Sequence, residues 1–78
     1  MPLYFFDTRD EDEVVVDDIG VELRDLEQAK IYAAKGLAEL ALDALPGATR
    51  RCLGVDVSDD RRRPVLTTEL TFDARILA

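Results

Sequence analysis

The segment from residue 25 to residue 45, DLEQAKIYAAKGLAELALDAL, carries apolar residues around more of its circumference than a single packed layer can hide. Alanine, leucine, glutamate and lysine dominate it, and these have the smallest free-energy cost in a helix, so the segment is predicted helical in spite of Gly36. Asp25 precedes the first periodic residue, Leu26, and Gln28 stands three places on, the pattern of an N-cap with its capping box. Pro46 and Gly47 mark the end, because the residue before a proline avoids helical geometry and glycine accepts positive φ. At about 100° per residue, Leu26, Ala29, Ala33, Leu37, Leu40 and Ala44 form one stripe, which is expected to face a sheet. Ile31, Ala34, Ala38, Leu42 and Leu45 form a second stripe beside it, leaving Gln28, Tyr32, Lys35, Glu39 and Asp43 for water. The apolar arc is then roughly 200°, against the ~100° that one buried face needs.

On either side of the helix the chain alternates as strands do. LYFFD at 3–7 places Leu3 and Phe5 on one side and Tyr4 and Phe6 on the other, and two apolar sides predict a central strand. Val14-Val15-Val16 follows after a short polar turn and completes an antiparallel hairpin, which Asp17 and Asp18 end. Gly20 permits a turn, after which Val21 and Leu23 point to the core and Glu22 to water. Leu53, Val55 and Val57 alternate with Cys52, Gly54, Asp56 and Ser58 in a third strand. A polar turn over 58–63 leads to Pro64, which opens a fourth strand running to about Ile76. Leu66, Thr68, Leu70, Phe72 and Ala74 share its inner side. The order is ββαββ, an α+β fold in which one long helix packs on a four-stranded antiparallel sheet. The short second strand is expected at an edge, where its acidic neighbours discourage outside pairing.

Seventy-eight residues permit one domain, 1–78, and a core of that size rarely supplies more than ~3–5 kcal/mol. The hydrophobic share of 47% and charged share of 35% are those of a folded protein. A net charge of −7 repels nucleic-acid backbones, so no nucleic-acid partner is expected. No stretch approaches the ~20 apolar residues of a membrane span, and the polar strip of the helix carries at least as many acids as bases, which argues against a membrane partner. Cys52 is the single cysteine, and MPLYFF lacks the charged flank and long apolar run of an export signal, so the expected location is cytoplasmic.

YFFD at 4–7 with Arg9-Asp10, DD-x-G-V-E-L at 17–23, the DLEQA helix start and the late TFD together resemble a small bacterial domain-of-unknown-function family, mainly proteobacterial. The resemblance covers nearly the whole chain and implies a bacterial origin. That family has no established activity, so no catalytic residue comes with it. Two positions depart from its pattern. Glu11 stands where members often have glycine, which counts against a tight two-residue hairpin turn, and Ile19 replaces a polar loop residue.

Few constellations here could carry chemistry. Asp7, Asp10, Glu11, Asp12, Glu13, Asp17 and Asp18 lack the D-x-D-x-D-G spacing of a calcium loop, and adjacent acids on strands point apart, so the segment is read as a solvated hairpin tip without metal. Asp18 and Glu22 flank Gly20, where a short carboxylate can bond backbone N–H groups two residues on; they are read as turn-makers. Cys52 has Arg50 and Arg51 nearby, yet the chain has no histidine to activate it, so it is read as a packed thiol. Arg50-Arg51 and Arg61-Arg62-Arg63 lie at opposite ends of a strand, about 25 Å apart, and form no single patch. The triplet reads as a solvated turn offset by Asp59 and Asp60. No catalytic residue and no cofactor is expected.

The second helix stripe is the one positive lead. Leaving Ile31, Leu42 and Leu45 in water forfeits roughly 1.5–3 kcal/mol each, a loss comparable with the whole stability of so small a core. Either the loops at 17–24 and 46–50 fold over the stripe, or a second copy covers it. The spacing favours a homodimer through Ile31, Ala34, Ala38, Leu42 and Leu45, as in a short coiled-coil-like contact. The expected role is a small homodimeric binding or interaction module with an unknown protein partner and without catalysis. Two alternatives remain: a small-ligand or metal-dependent enzyme using acids at a dimer cleft, and an antitoxin-like acidic regulator that masks a basic partner.

Overall fold

A computed structural model describes residues 1–78. The chain runs β1 (Leu3–Asp10), β2 (Glu13–Val15), β3 (Val21–Glu22), α1 (Leu26–Ala44), β4 (Arg50–Ser58) and β5 (Pro64–Asp73). The fold is α+β, one helix on an antiparallel sheet, with the ββαββ order augmented by the two-residue strand β3. Strands lie in the order β2-β1-β4-β5, which puts β1 inside the sheet and β2 at an edge, as their sequences imply.

The helix starts where its cap dictates. The Asp25 side chain accepts the Gln28 N–H at 2.9 Å, and Leu45 closes the last turn through its N–H to Ala41 O. Gly47 then takes a φ of +88° and redirects the chain. Ala29, Ala33 and Leu37 are buried against Leu53, Val55 and Val57, the largest fully enclosed side chains, with Tyr4 completing the core. Leu26 overhangs the core and is half exposed. Tyr32 is half covered, because its ring leans on Phe6 with centroids 4.7 Å apart. β5 stops at Asp73 rather than near Ile76. Its neighbour β4 begins at Arg50, paired with Asp73, so residues beyond have no ladder to join after the Ala74 N–H reaches Thr49 O.

The β1–β2 hairpin corrects one expectation. A tight turn forms at residues 11–12 between Asp10 and Glu13 although the first turn residue is Glu11, which takes a φ of +55°. Glycine is usual there because a Cβ costs roughly 1–2 kcal/mol in left-handed geometry. Glu11 offsets that cost through β4: its N–H donates to Cys52 O at 3.0 Å and its carboxylate accepts the Cys52 N–H at 2.7 Å. The side chain thereby extends the β1–β4 ladder by one more residue, which glycine could not do.

Candidate functional site

β2 and β3 run along the same edge of β1 but out of step. Thr8 pairs with Val15 and Tyr4 with Val21, so four steps of β1 face six of the returning chain, and residues 16–20 bulge outward. Without help, the Phe6 N–H in that gap would lack an acceptor. Asp17 supplies it: one carboxylate oxygen accepts the Phe6 N–H at 3.0 Å, and the other accepts the N–H groups of Ile19 and Gly20, each at 3.0 Å. The Asp17 N–H in turn donates to Asp7 Oδ1 at 2.9 Å. Asp17 is therefore the turn-maker of the DD-x-G segment, and this corrects the assignment of that role to Asp18 and Glu22, which are exposed and take no part. Asx-type bonding reaches residues two and three places on, so Gly20 lies within reach of either aspartate, and it is the Phe6 N–H across the gap that selects Asp17.

The bulged loop stands off the sheet and leaves a groove of about 400 Å³. Phe6, Thr8 and Val55 form its floor, Tyr32, Ala33 and Gly36 its helix wall, and Ile19, Gly20 and Val21 the loop wall. Gly20 is required here twice over. Its φ is +79°, and a Cβ would meet Leu3 Cδ1 at 3.0 Å and Tyr4 O at 3.1 Å. Ile19, the departure noted in the loop, is 85% exposed at the rim.

The face of the sheet away from the helix is polar. The Arg9 guanidinium lies flat across Gly54, its Nε 2.6 Å from Asp56 Oδ2 and its Nη2 3.3 Å from Oδ1, and it donates to Thr68 O at 3.2 Å. Thr67 Oγ1 donates to Asp56 Oδ1 at 2.7 Å. Asp7 and Asp56 are direct cross-strand partners, an arrangement that repels unless each acid has its own cation. Asp56 has Arg9, and Arg62 Nη1 stands 3.8 Å from Asp7 Oδ1. Arg62 is thus more than the solvated turn residue its triplet implied, although it stays exposed in that turn. Its guanidinium lies 3.6 Å over the Phe5 ring and donates to Asp17 O at 2.8 Å, tying the β4–β5 turn to the bulge. Arg63 does stay in its own turn, paired with Asp59 at 2.9 Å.

The acids of the hairpin part company. Asp10 takes the Arg51 fork at 2.6 and 2.8 Å, Glu11 the Cys52 amide, and Asp17 the backbone of the bulge. No three cysteine or acidic side chains come close enough to share a metal ion. Cys52 is half-buried in β4, at the far end of that strand from the arginine triplet. Of the second helix stripe, Leu45 packs partly against the core, whereas Ile31, Ala34, Ala38 and Leu42 stay exposed, Ile31 at 43% and Leu42 at 75%. The chain's own loops do not fold over them.

A domain of unknown function (DUF6894) matches residues 3–71, which takes in every strand but the end of β5, and the whole helix. The chain belongs to the DUF6894 family. No curated protein and no solved structure gives a match. No helix of this DUF6894 domain is long and apolar enough to cross a membrane.

The carboxylates of the DUF6894 domain also set its response to acid. Burial alone would raise the Asp17 pKa, but the N–H groups of Gly20, Phe6 and Ile19 outweigh it and hold the group below its ordinary 3.8. Burial alone would likewise raise the Asp56 pKa, but the Arg9 and Thr67 hydrogen bonds, with the charge of Arg9, outweigh it and this group too is lowered. A carboxylate with a depressed folded-state pKa adds stability that is complete above its unfolded value and disappears as the pH falls through the folded one. Urea midpoints are therefore expected to hold steady with respect to these groups down to about pH 5 and to fall steadily below about pH 4. The fall is expected to be shallower in Asp17→Asn. An equal slope would show that the bonds at Asp17 do not favour its charged form.

Proposed function

We propose that this DUF6894 domain is a small bacterial cytoplasmic interaction module that works as a homodimer through Ile31, Ala34, Ala38, Leu42 and Leu45, without catalysis. The observation that carries the reading is the exposure of Leu42, Ile31 and the two alanines between them on the helix face turned away from the sheet. An apolar strip of this kind on a domain with so small a core favours association, since burying each large side chain contributes roughly 1.5–3 kcal/mol. The hairpin acids give less support to an enzyme, because Asp10, Glu11 and Asp17 already have protein partners. The charge of −7 favours a basic surface on any further partner, the one property shared with an antitoxin-like regulator.

Light scattering on the purified chain at about 100 μM is expected to give twice the monomer mass, for an interface of micromolar affinity. Leu42→Lys is expected to give a folded monomer with an unchanged circular dichroism spectrum, because the residue touches no core side chain. A wild-type monomer at that concentration, or a Leu42→Lys variant that still dimerises, would remove this reading.

A further inference from the structure

Resting on the homodimer reading, we propose that the second copy docks with its helix antiparallel, on a two-fold axis that passes beside Ala38. The spacing along the stripe, exposed from Ile31 to Leu42 and half-buried at Leu45, is palindromic about that residue. Ile31 and Leu45 each lie seven positions from Ala38, and Ala34 and Leu42 each lie four. A two-fold axis perpendicular to the helix exchanges positions at equal distances on either side of it. Ile31 then meets the partner's Leu45, Leu42 of each copy reaches the level of the partner's small Ala34, and Ala38 faces its own mate. Large side chains thus meet small ones or one another end to end, and the alanine at the centre lets the helices approach to about 8 Å.

Charge complementarity supports the same direction. At about 100° per residue, Lys35 and Glu39 both flank the stripe on one side, some 60° and 100° from Ala38. Both are exposed, and neither is held by an ion pair within the chain. In the antiparallel pair that flank faces the same flank of the partner. Lys35 then comes level with the partner's Glu39 to within two residues, about 3 Å along the axis, and symmetry makes the pair twice. The helix has 19 residues, so it is ~28 Å long, and a strip along it falls at the small end of specific interfaces, below ~1,200 Å². A reversible dimer follows, with a dissociation constant on the order of 10 μM.

Two measurements on the full chain test the direction. In a Cys52→Ser background, Ala38→Cys is expected to form a disulfide-linked dimer on mild oxidation. Ile31→Cys alone is not, because antiparallel helices hold its two copies about 21 Å apart, beyond the ~7 Å Cα limit of a disulfide. In the second, Lys35→Glu and Glu39→Lys are each expected to weaken self-association about tenfold by turning two attractive pairs repulsive. Mixing them places an all-acidic flank against an all-basic one, and sedimentation is expected to recover a heterodimer at least as tight as the wild-type dimer. Self-linking of Ile31→Cys, failure of Ala38→Cys to link, or a mixture no tighter than its components would overturn the antiparallel docking while leaving a homodimer in place. A wild-type chain that does not associate at about 100 μM overturns the homodimer reading itself.

Discussion

Asp17→Ala is expected to lower the unfolding free energy by about 3 kcal/mol, most of what a core this small supplies. The carboxylate accepts three backbone N–H groups, and those of Phe6 and Gly20 are partly shielded from water. Water can replace the partner of Ile19, which is exposed, but only incompletely those of the other two. Each shielded donor left without an acceptor costs about 1–3 kcal/mol. The bulge also loses its attachment to β1, so the loop wall of the groove is released together with the Arg62 contact to Asp17 O. Urea denaturation reads the loss of stability, and amide exchange at Phe6 and Gly20 reads its place. The neighbouring Asp18→Ala provides the contrast: exposed and without a bonded partner, it is expected to change stability by less than about 0.5 kcal/mol. Equal effects of the two substitutions would show that general acidity, rather than a specific set of bonds, matters at this turn.

Gly54→Ala carries the second large effect, about 2–3 kcal/mol of destabilisation from one methyl group. A Cβ at that position would stand 2.5 Å from Arg9 Cζ and 2.8 Å from the Thr68 carbonyl oxygen, and would also collide with Arg9 Nη2. The guanidinium can swing away, but it would then leave Asp56 facing Asp7 across the ladder without its cation. The strand backbone at Thr68 has no comparable freedom, since Val55 and Thr68 are paired and doubly bonded through the Thr68 hydroxyl at 3.1 and 2.9 Å. A double-mutant cycle separates these contributions. If the methyl acts mainly by displacing Arg9, Gly54→Ala is expected to cost about 1 kcal/mol less in an Arg9→Ala background than in the wild type. Full additivity would place the whole clash on the Thr68 backbone.

Helix α1 shows how much local pattern alone can reveal. Its capping aspartate, its apolar period and its Pro-Gly exit are all set within a few residues of chain, and the structure follows them to within one residue at either end. β4 is similarly legible, because Leu53, Val55 and Val57 alternate with polar or small residues and become the enclosed centre of the core. The edge position of β2 also follows from its brevity and charge.

Where the reading failed, the partners are distant in sequence. Two adjacent aspartates look alike in one dimension, and only the gap opposite Phe6, created by unequal lengths of chain along β1, distinguishes Asp17 from Asp18. Arg62 reads as a solvated charge in a turn, yet it reaches Asp17, 45 positions away. Gly54 reads as an ordinary small residue in a strand until Arg9, 45 positions earlier, is laid over it. For the groove, the available signals were Gly20 and the unexplained Gly36, neither of which says what lies opposite. The departure at Glu11 carried a signal too, but its compensation lies in the backbone of Cys52, across the sheet.

The sequence by itself determined the α+β class, the limits of the helix, the alternation that fills the core and the surplus apolar stripe, because each depends on the local period of the backbone and on the cost of leaving apolar side chains wet. Only the tertiary structure decided which aspartate ties the bulge, which arginine lies flat on the sheet, and that the stripe at Ile31 and Leu42 stays uncovered by its own chain. Those outcomes depend on strand register and on hydrogen bonds between residues more than ten positions apart, and a local repeat contains no information about what the fold brings to the other side of a ladder.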